Sequence, residues 1–145
     1  MSFQYSLQKV MEYKDREKND AQKQHSEAVE QFESVATQLY EVLKQKEELI
    51  ESQALKLQQG LPIAQIQQNE EILAHLQKEI NALQWQTQRA RKIMSDKEKL
   101  SITKSVDHKK YEKMKEIQYN QYVEDEKREE LKFLDEISVQ QFVRR

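Results

Sequence analysis

Only one glycine and one proline occur in 145 residues, and they stand together in Gly60-Leu61-Pro62. Turns draw on Gly, Pro, Asn and Asp, so a compact domain needing many turns is excluded and nearly all the rest of the chain must run turn-free. The other composition figures point the same way. Charged residues make up 34% and hydrophobic residues 37%, and a mean hydropathy of -1.02 approaches the disordered range. Only strong periodicity lets such a chain fold, and it leaves no large core.

That periodicity is present on both sides of the break. Starting at Leu7, steps of four and three visit Met11, Lys14, Lys18, Ala21, His25, Ala28, Phe32, Val35, Leu39, Val42, Lys46 and Leu49. Ala36, Leu43, Ile50 and Leu57 form a flanking column at seven-residue spacing. Beyond the break, Ile66, Leu73, Ile80, Thr87 and Met94 recur every seven residues, with Leu76, Leu83 and Ala90 three places after their predecessors. Ile72, Ile93, Leu100 and Met114 flank them. The pattern predicts an all-α fold: a long antiparallel two-helix coiled-coil hairpin with a C-terminal helical overhang. Helix 1 is expected over about 3–58, a hinge at 59–62, helix 2 over about 63–136 and a tail at 137–145, all in one coiled-coil domain.

The two seams test each other. If the chain folds back at Leu61, residue i faces about residue 122 minus i, which sets Leu49 against Leu73, Val42 against Ile80 and Leu39 against Leu83. Each a position then meets a d position, as antiparallel helices require. Phe32 faces Ala90 and Ala28 faces Met94, so large and small side chains alternate across the seam. Toward the termini the same rule brings His25 opposite Lys97, Lys18 opposite Lys104 and Lys14 opposite His108. Either lysine stems snorkel there with Asp15, Glu17 and Asp107 as countercharge, or the arms splay when a partner grips them. Helix 2 also outruns helix 1. The overhang follows the acidic run Glu124-Asp125-Glu126 and carries Leu131, Phe133, Leu134, Ile137, Phe142 and Val143 as a broad apolar face without a mate in the chain. Such a face frays or docks into another protein, and docking is the preferred reading.

Catalytic chemistry is poorly provided for. Without cysteine there is no disulfide, thiolate nucleophile or Cys-based zinc site. Glu71, His75 and Glu79 sit four apart on one helical face, but a di-iron bundle needs Glu-x-x-His repeated on facing helices. His75 therefore reads as a solvated side chain, and His25 and His108 are too isolated for a relay. No Gly-rich phosphate loop, G-x-S-x-G or H-E-x-x-H occurs. No enzyme activity, metal or cofactor is expected. Arg89, Arg91, Lys92, Lys97, Lys99, Lys104, Lys109, Lys110, Lys113 and Lys115 make one stretch of helix 2 basic, but Asp96, Glu98, Asp107, Glu112 and Glu116 interrupt it. With a formal charge of -2, that favours an acidic protein partner over nucleic acid. No stretch approaches the ~20 apolar residues that span a bilayer, so direct membrane insertion is not expected. Trp85 and Tyr40 fall at outer positions within about one helical turn in height, where aromatics act as binding anchors or simply lie along polar stems.

The length, the break near residue 60, the segment Phe32-Glu33-x-Val35-Ala36-x-Gln38-Leu39-Tyr40-Glu41 and the ending Leu134-Asp135-Glu136-Ile137-Ser138-Val139-Gln140-Gln141-Phe142 resemble the flagellar export protein FliJ family, in the form found in Gram-positive motile bacteria. The likeness covers essentially the whole chain. It implies a cytoplasmic component of flagellar type III export, peripherally associated with the cytoplasmic face of the membrane at the flagellar base. It further implies a stalk-like coupling element that binds the hexameric export ATPase and the cytoplasmic domain of the membrane export gate, and that assists export chaperones. Carried onto this sequence by alignment on Gly60, the gate contact falls on Gln38, Val42, Leu49, Ile72 and Leu76; Gln45, Glu79 and Leu83 depart from the family pattern. Tyr40 and Trp85 are added to the gate-facing half on their exposure. Leu131, Leu134, Ile137 and Phe142 are the expected ATPase contacts. The competing expectation is a self-associating structural coiled coil with no export role.

Overall fold

A computed structural model describes residues 2–144. Two helices account for nearly all of it: α1, Gln8–Gln59, and α2, Ile63–Arg144, with no strand among the described residues. The link between them is built from the only Gly and the only Pro. Gly60 adopts φ +92°, a left-handed backbone that terminates α1. Its N–H donates to the Leu57 carbonyl at 3.3 Å, and Lys56 supplies a cation to the last turn. The Pro62 carbonyl accepts from Gln65 and Ile66 at 3.0 and 3.2 Å, so α2 starts directly after the proline.

The described residues separate into a hinge unit, Ala21–Ser101, and a terminal unit, 2–20 with 102–144. In the hinge unit the helices pair antiparallel: Lys46 Nζ donates to Gln77 at 2.7 Å, Lys97 Nζ donates to Gln24 at 2.8 Å, and Arg91 lies 5.5 Å above the Phe32 ring. In the terminal unit Lys104 reaches Glu17 at 2.8 Å, Lys115 donates to Gln8 at 2.9 Å, and His108 Nε2 lies 3.5 Å from Asp15. In each of these pairs the two residue numbers add to between 121 and 123, the alignment that folding about Leu61 predicts. The fold is the expected all-α antiparallel coiled coil.

Two helices alone enclose few side chains completely. In the hinge unit Ile80 is 2% exposed, and Leu76, Ala21, Ala28 and Thr87 are also buried. The Thr87 hydroxyl donates to the Leu83 carbonyl at 2.7 Å, which satisfies a polar group in an otherwise apolar seam.

Both outer boundaries differ from the sequence expectation. Helix α1 starts at Gln8, not near residue 3, because residues 2–7 lie outside the helix and hold onto α2 through aromatic side chains. The Phe3 ring packs 5.4 Å from Tyr119 and 5.5 Å from Tyr122, and the buried Tyr5 hydroxyl donates to the Tyr111 carbonyl at 3.1 Å. At the other end α2 runs on to Arg144, so 137–144 are helix and not a tail. No Gly or Pro follows Pro62, so the helix meets no breaker there.

Candidate partner-docking surfaces

The polar seam of the terminal unit is closed by ion pairs. The half-buried Glu17 carboxylate accepts from Lys104 and lies 3.9 Å from Lys14, while Lys18 sits 3.1 Å from Asp15. The hydrogen bond from Lys104, reinforced by Tyr13, holds the Glu17 carboxyl below its ordinary range. The Lys18 contact does the same for Asp15 against a smaller opposing effect of burial. Glu17 in turn raises Lys104. Lysine stems thus lie along this seam with Asp15 and Glu17 as countercharge. His108, expected to be isolated on a weak seam, is only 6% exposed, with Asp15 on one ring nitrogen and Glu112 3.6 Å from the other.

Beyond Val123, α2 has no packing partner among the described residues of the terminal unit. Residues 124–144 are exposed apart from half-buried Ile137. Leu131, Phe133, Leu134 and Val143 stand open to solvent, and Phe142 is 82% exposed. Tyr122, just before this segment, donates to Glu126 at 2.7 Å, and that bond to a carboxylate raises the phenol's pKa.

In the hinge unit the expected gate-facing residues have different surroundings. Gln38 is exposed and Ile72 largely so, whereas Val42 and Leu49 are half-buried. Leu76 is only 8% exposed, so it belongs to the packed seam and supports the surface from below. Gln38 and Val42 line an open groove of about 360 Å³ with Glu79, Ala82, Leu83 and Gln86. A larger groove on the same unit, about 840 Å³, is lined by Ala28, Gln31, Val35, Trp85, Arg89 and Ile93 among others. Trp85 stands at its edge, 62% exposed, with the Arg89 guanidinium 5.6 Å from its ring. That contact is worth roughly 0.5–1 kcal/mol at an exposed site. Tyr40 is equally exposed and lines neither groove.

Sequence reasoning missed two features. The Phe3–Tyr119–Tyr122 cluster was accessible in principle, because the alignment rule itself sets Phe3 against Tyr119. Burial of His108 between two carboxylates carries no signal in the heptad pattern. His75 is exposed and 3.3 Å from Glu79. Among the described residues no group of three or more His, Asp or Glu side chains gathers to hold a metal ion. Nor is any helix among them long and apolar enough to cross a membrane.

A paired two-helix seam, a glycine hinge near residue 60 and an unpartnered C-terminal helix are thus in place across the chain. The sequence model of the family described as "Flagellar FliJ protein" matches residues 3–145. The chain belongs to the FliJ family. It is 31% identical over 143 residues to the flagellar FliJ protein of Bacillus subtilis (strain 168), an alignment covering 99% of this chain and 97% of that protein. No solved structure is matched. Membership in the FliJ family ties the chain to the flagellum and, through the family's role, to flagellar protein export.

Proposed function

We propose that this FliJ-family chain is a non-enzymatic, stalk-like coupling component of flagellar protein export that bridges the hexameric export ATPase and the cytoplasmic domain of the export gate. The observation that carries this reading is the segment 124–144, a helix with exposed Leu131, Leu134 and Phe142 and no partner among the described residues. Apolar surface left in water costs roughly 25 cal/mol per Å², so a site that covers it gains affinity. The ATPase ring contacts Leu131, Leu134, Ile137 and Phe142. The gate contacts the hinge unit through Gln38 and Ile72, with Val42 and Leu49 at the rim and Trp85 and Tyr40 as separate aromatic anchors. Leu76 acts by supporting that surface. Export chaperones are brought to the same assembly, which sits peripherally on the cytoplasmic face of the membrane at the flagellar base.

The test is stimulation of the purified export ATPase by full-length protein and by a form lacking residues 124–145. The truncated form is expected to keep the helicity of its remaining residues by circular dichroism and to lose stimulation. Undiminished stimulation by the truncated form would overturn the assignment of the C-terminal segment.

A further inference from the structure

The two flanks of α1 within the hinge unit are built from different residue types. Gln24, Gln31, Gln38 and Gln45 occupy one flank at seven-residue spacing. The other flank reads Val29, Ala36, Leu43, Ile50 and Leu57, apolar through five successive repeats. Val29 and Ala36 are half-buried, but Leu43, Ile50 and Leu57 remain 36%, 46% and 49% exposed. If the exposure were simply spill-over from a two-helix seam, both flanks would show it. The glutamine flank shows that the same helix stays polar at the same distance from the seam.

Charge indicates what fits the apolar flank. Its outer border carries Glu33, Glu47 and Glu51 against the single cation Lys44, and all four are exposed. None of these three carboxylates is engaged in an ion pair or a side-chain hydrogen bond. Residues 29–57 together hold six glutamates and three lysines. A second copy of the same flank would set like charge against like. The chain's own unpartnered helix, 124–144, is acidic too, with seven carboxylates and four cations. An anionic lipid surface is disfavoured by the same border. Apolar side chains repeating every seven residues on a helix accept the knobs of another helix.

We infer that the Val29–Leu57 flank of α1 is the docking face for a partner's amphipathic helix whose apolar stripe is bordered by lysine or arginine. The partner helix forms a third strand of the coiled coil on the flank away from the glutamines. This inference stands apart from the ATPase and gate assignments, which use other residues of the chain.

The probes are two synthetic helices, each about four heptads long with the same leucine stripe, one flanked by lysines and its twin by glutamates. Binding to the full-length protein is followed by fluorescence anisotropy. The lysine-flanked helix is expected to bind at least about tenfold more tightly than its twin, and to weaken with added salt. Leu43→Ser with Ile50→Ser should lower its affinity about tenfold or more with helicity unchanged, while Gln31→Ser with Gln45→Ser on the opposite flank should not. Equal binding of the twins, or wild-type binding by the Leu43/Ile50 double variant, overturns the proposal. So does a stable dimer in sedimentation equilibrium that the same double variant abolishes, since a second copy would then be the occupant.

Discussion

The hinge unit and the terminal unit pair the same two helices in the same alignment, yet close the seam with different chemistry. Around Leu76, Ile80 and Thr87 the seam excludes water with aliphatic side chains and one internally bonded hydroxyl. Around residues 14–18 and 104–112 it is made of lysine stems, carboxylates and a buried imidazole. The first kind of seam draws stability from area removed from water, which neither pH nor moderate salt changes much. The second draws direction from charge: Lys104 has a partner at Glu17 only in one alignment, so it specifies pairing more than it strengthens it. Aromatic side chains from outside α1 then reinforce this weaker seam, with Tyr5 and Phe3 laid against Tyr111, Tyr119 and Tyr122.

The largest expected effect comes from breaking the apolar side of the comparison. Ile80→Ala removes the most completely buried side chain and should destabilise the hinge unit by about 2–5 kcal/mol, read as a lower urea midpoint. Amide exchange should rise over 70–90 more than over 104–120. A uniform rise across both would show that the two units open together.

Gly60→Ala comes next. A Cβ there meets nothing within 4 Å, so the cost is the left-handed backbone alone, about 1–2 kcal/mol in thermal unfolding. Gly60→Asn should recover part of it, because Asn tolerates that conformation. If alanine were neutral, the hinge would not depend on that backbone angle.

Tyr5→Phe sharpens the terminal side. It deletes one hydroxyl whose acceptor is a helix carbonyl and should cost about 1 kcal/mol or less, with faster exchange confined to residues near 111. Phe3→Ala should have its effect near 119–122, where its ring packs.

The smallest effect discriminates best between the two seams. Asp15 and Glu17 have lowered pKa values in the folded chain, so their contribution is complete above the ordinary carboxylate range and is lost as pH falls through the lowered values. Lys104 is raised, so its contribution is complete below the ordinary lysine value and is lost as pH rises through the raised one. Acidification below about pH 4 should therefore lower exchange protection, taken relative to the intrinsic rate at each pH, in 8–20 and 102–115 before it touches 70–90. Glu17→Gln should flatten that response, and salt near 1 M should mimic it in part.

The comparison also explains what was legible in the sequence. Leu39, Val42, Leu49, Leu73, Ile80 and Leu83 encode the seam through spacing alone, because a helix with an apolar repeat of seven can bury it only against a matching repeat. Availability of a residue to a partner is a different matter. Leu76 and Gln38 share the predicted gate surface, but one is buried beneath it and the other is exposed. That outcome depends on the side chains across the seam and on how far each reaches. The ends were hardest to read, since Phe3 and Tyr5 leave the helix for contacts more than a hundred residues away in sequence.

By itself the sequence determined two helices, their reversal at Gly60 and the alignment in which they meet. Each follows from local backbone preference and a repeat that advances at a constant rate along the chain. Tertiary structure alone decided that His108 is buried between Asp15 and Glu112 and that residues 2–7 leave the helix to hold onto α2. These depend on side-chain reach and on groups from the opposite helix, which periodicity does not encode.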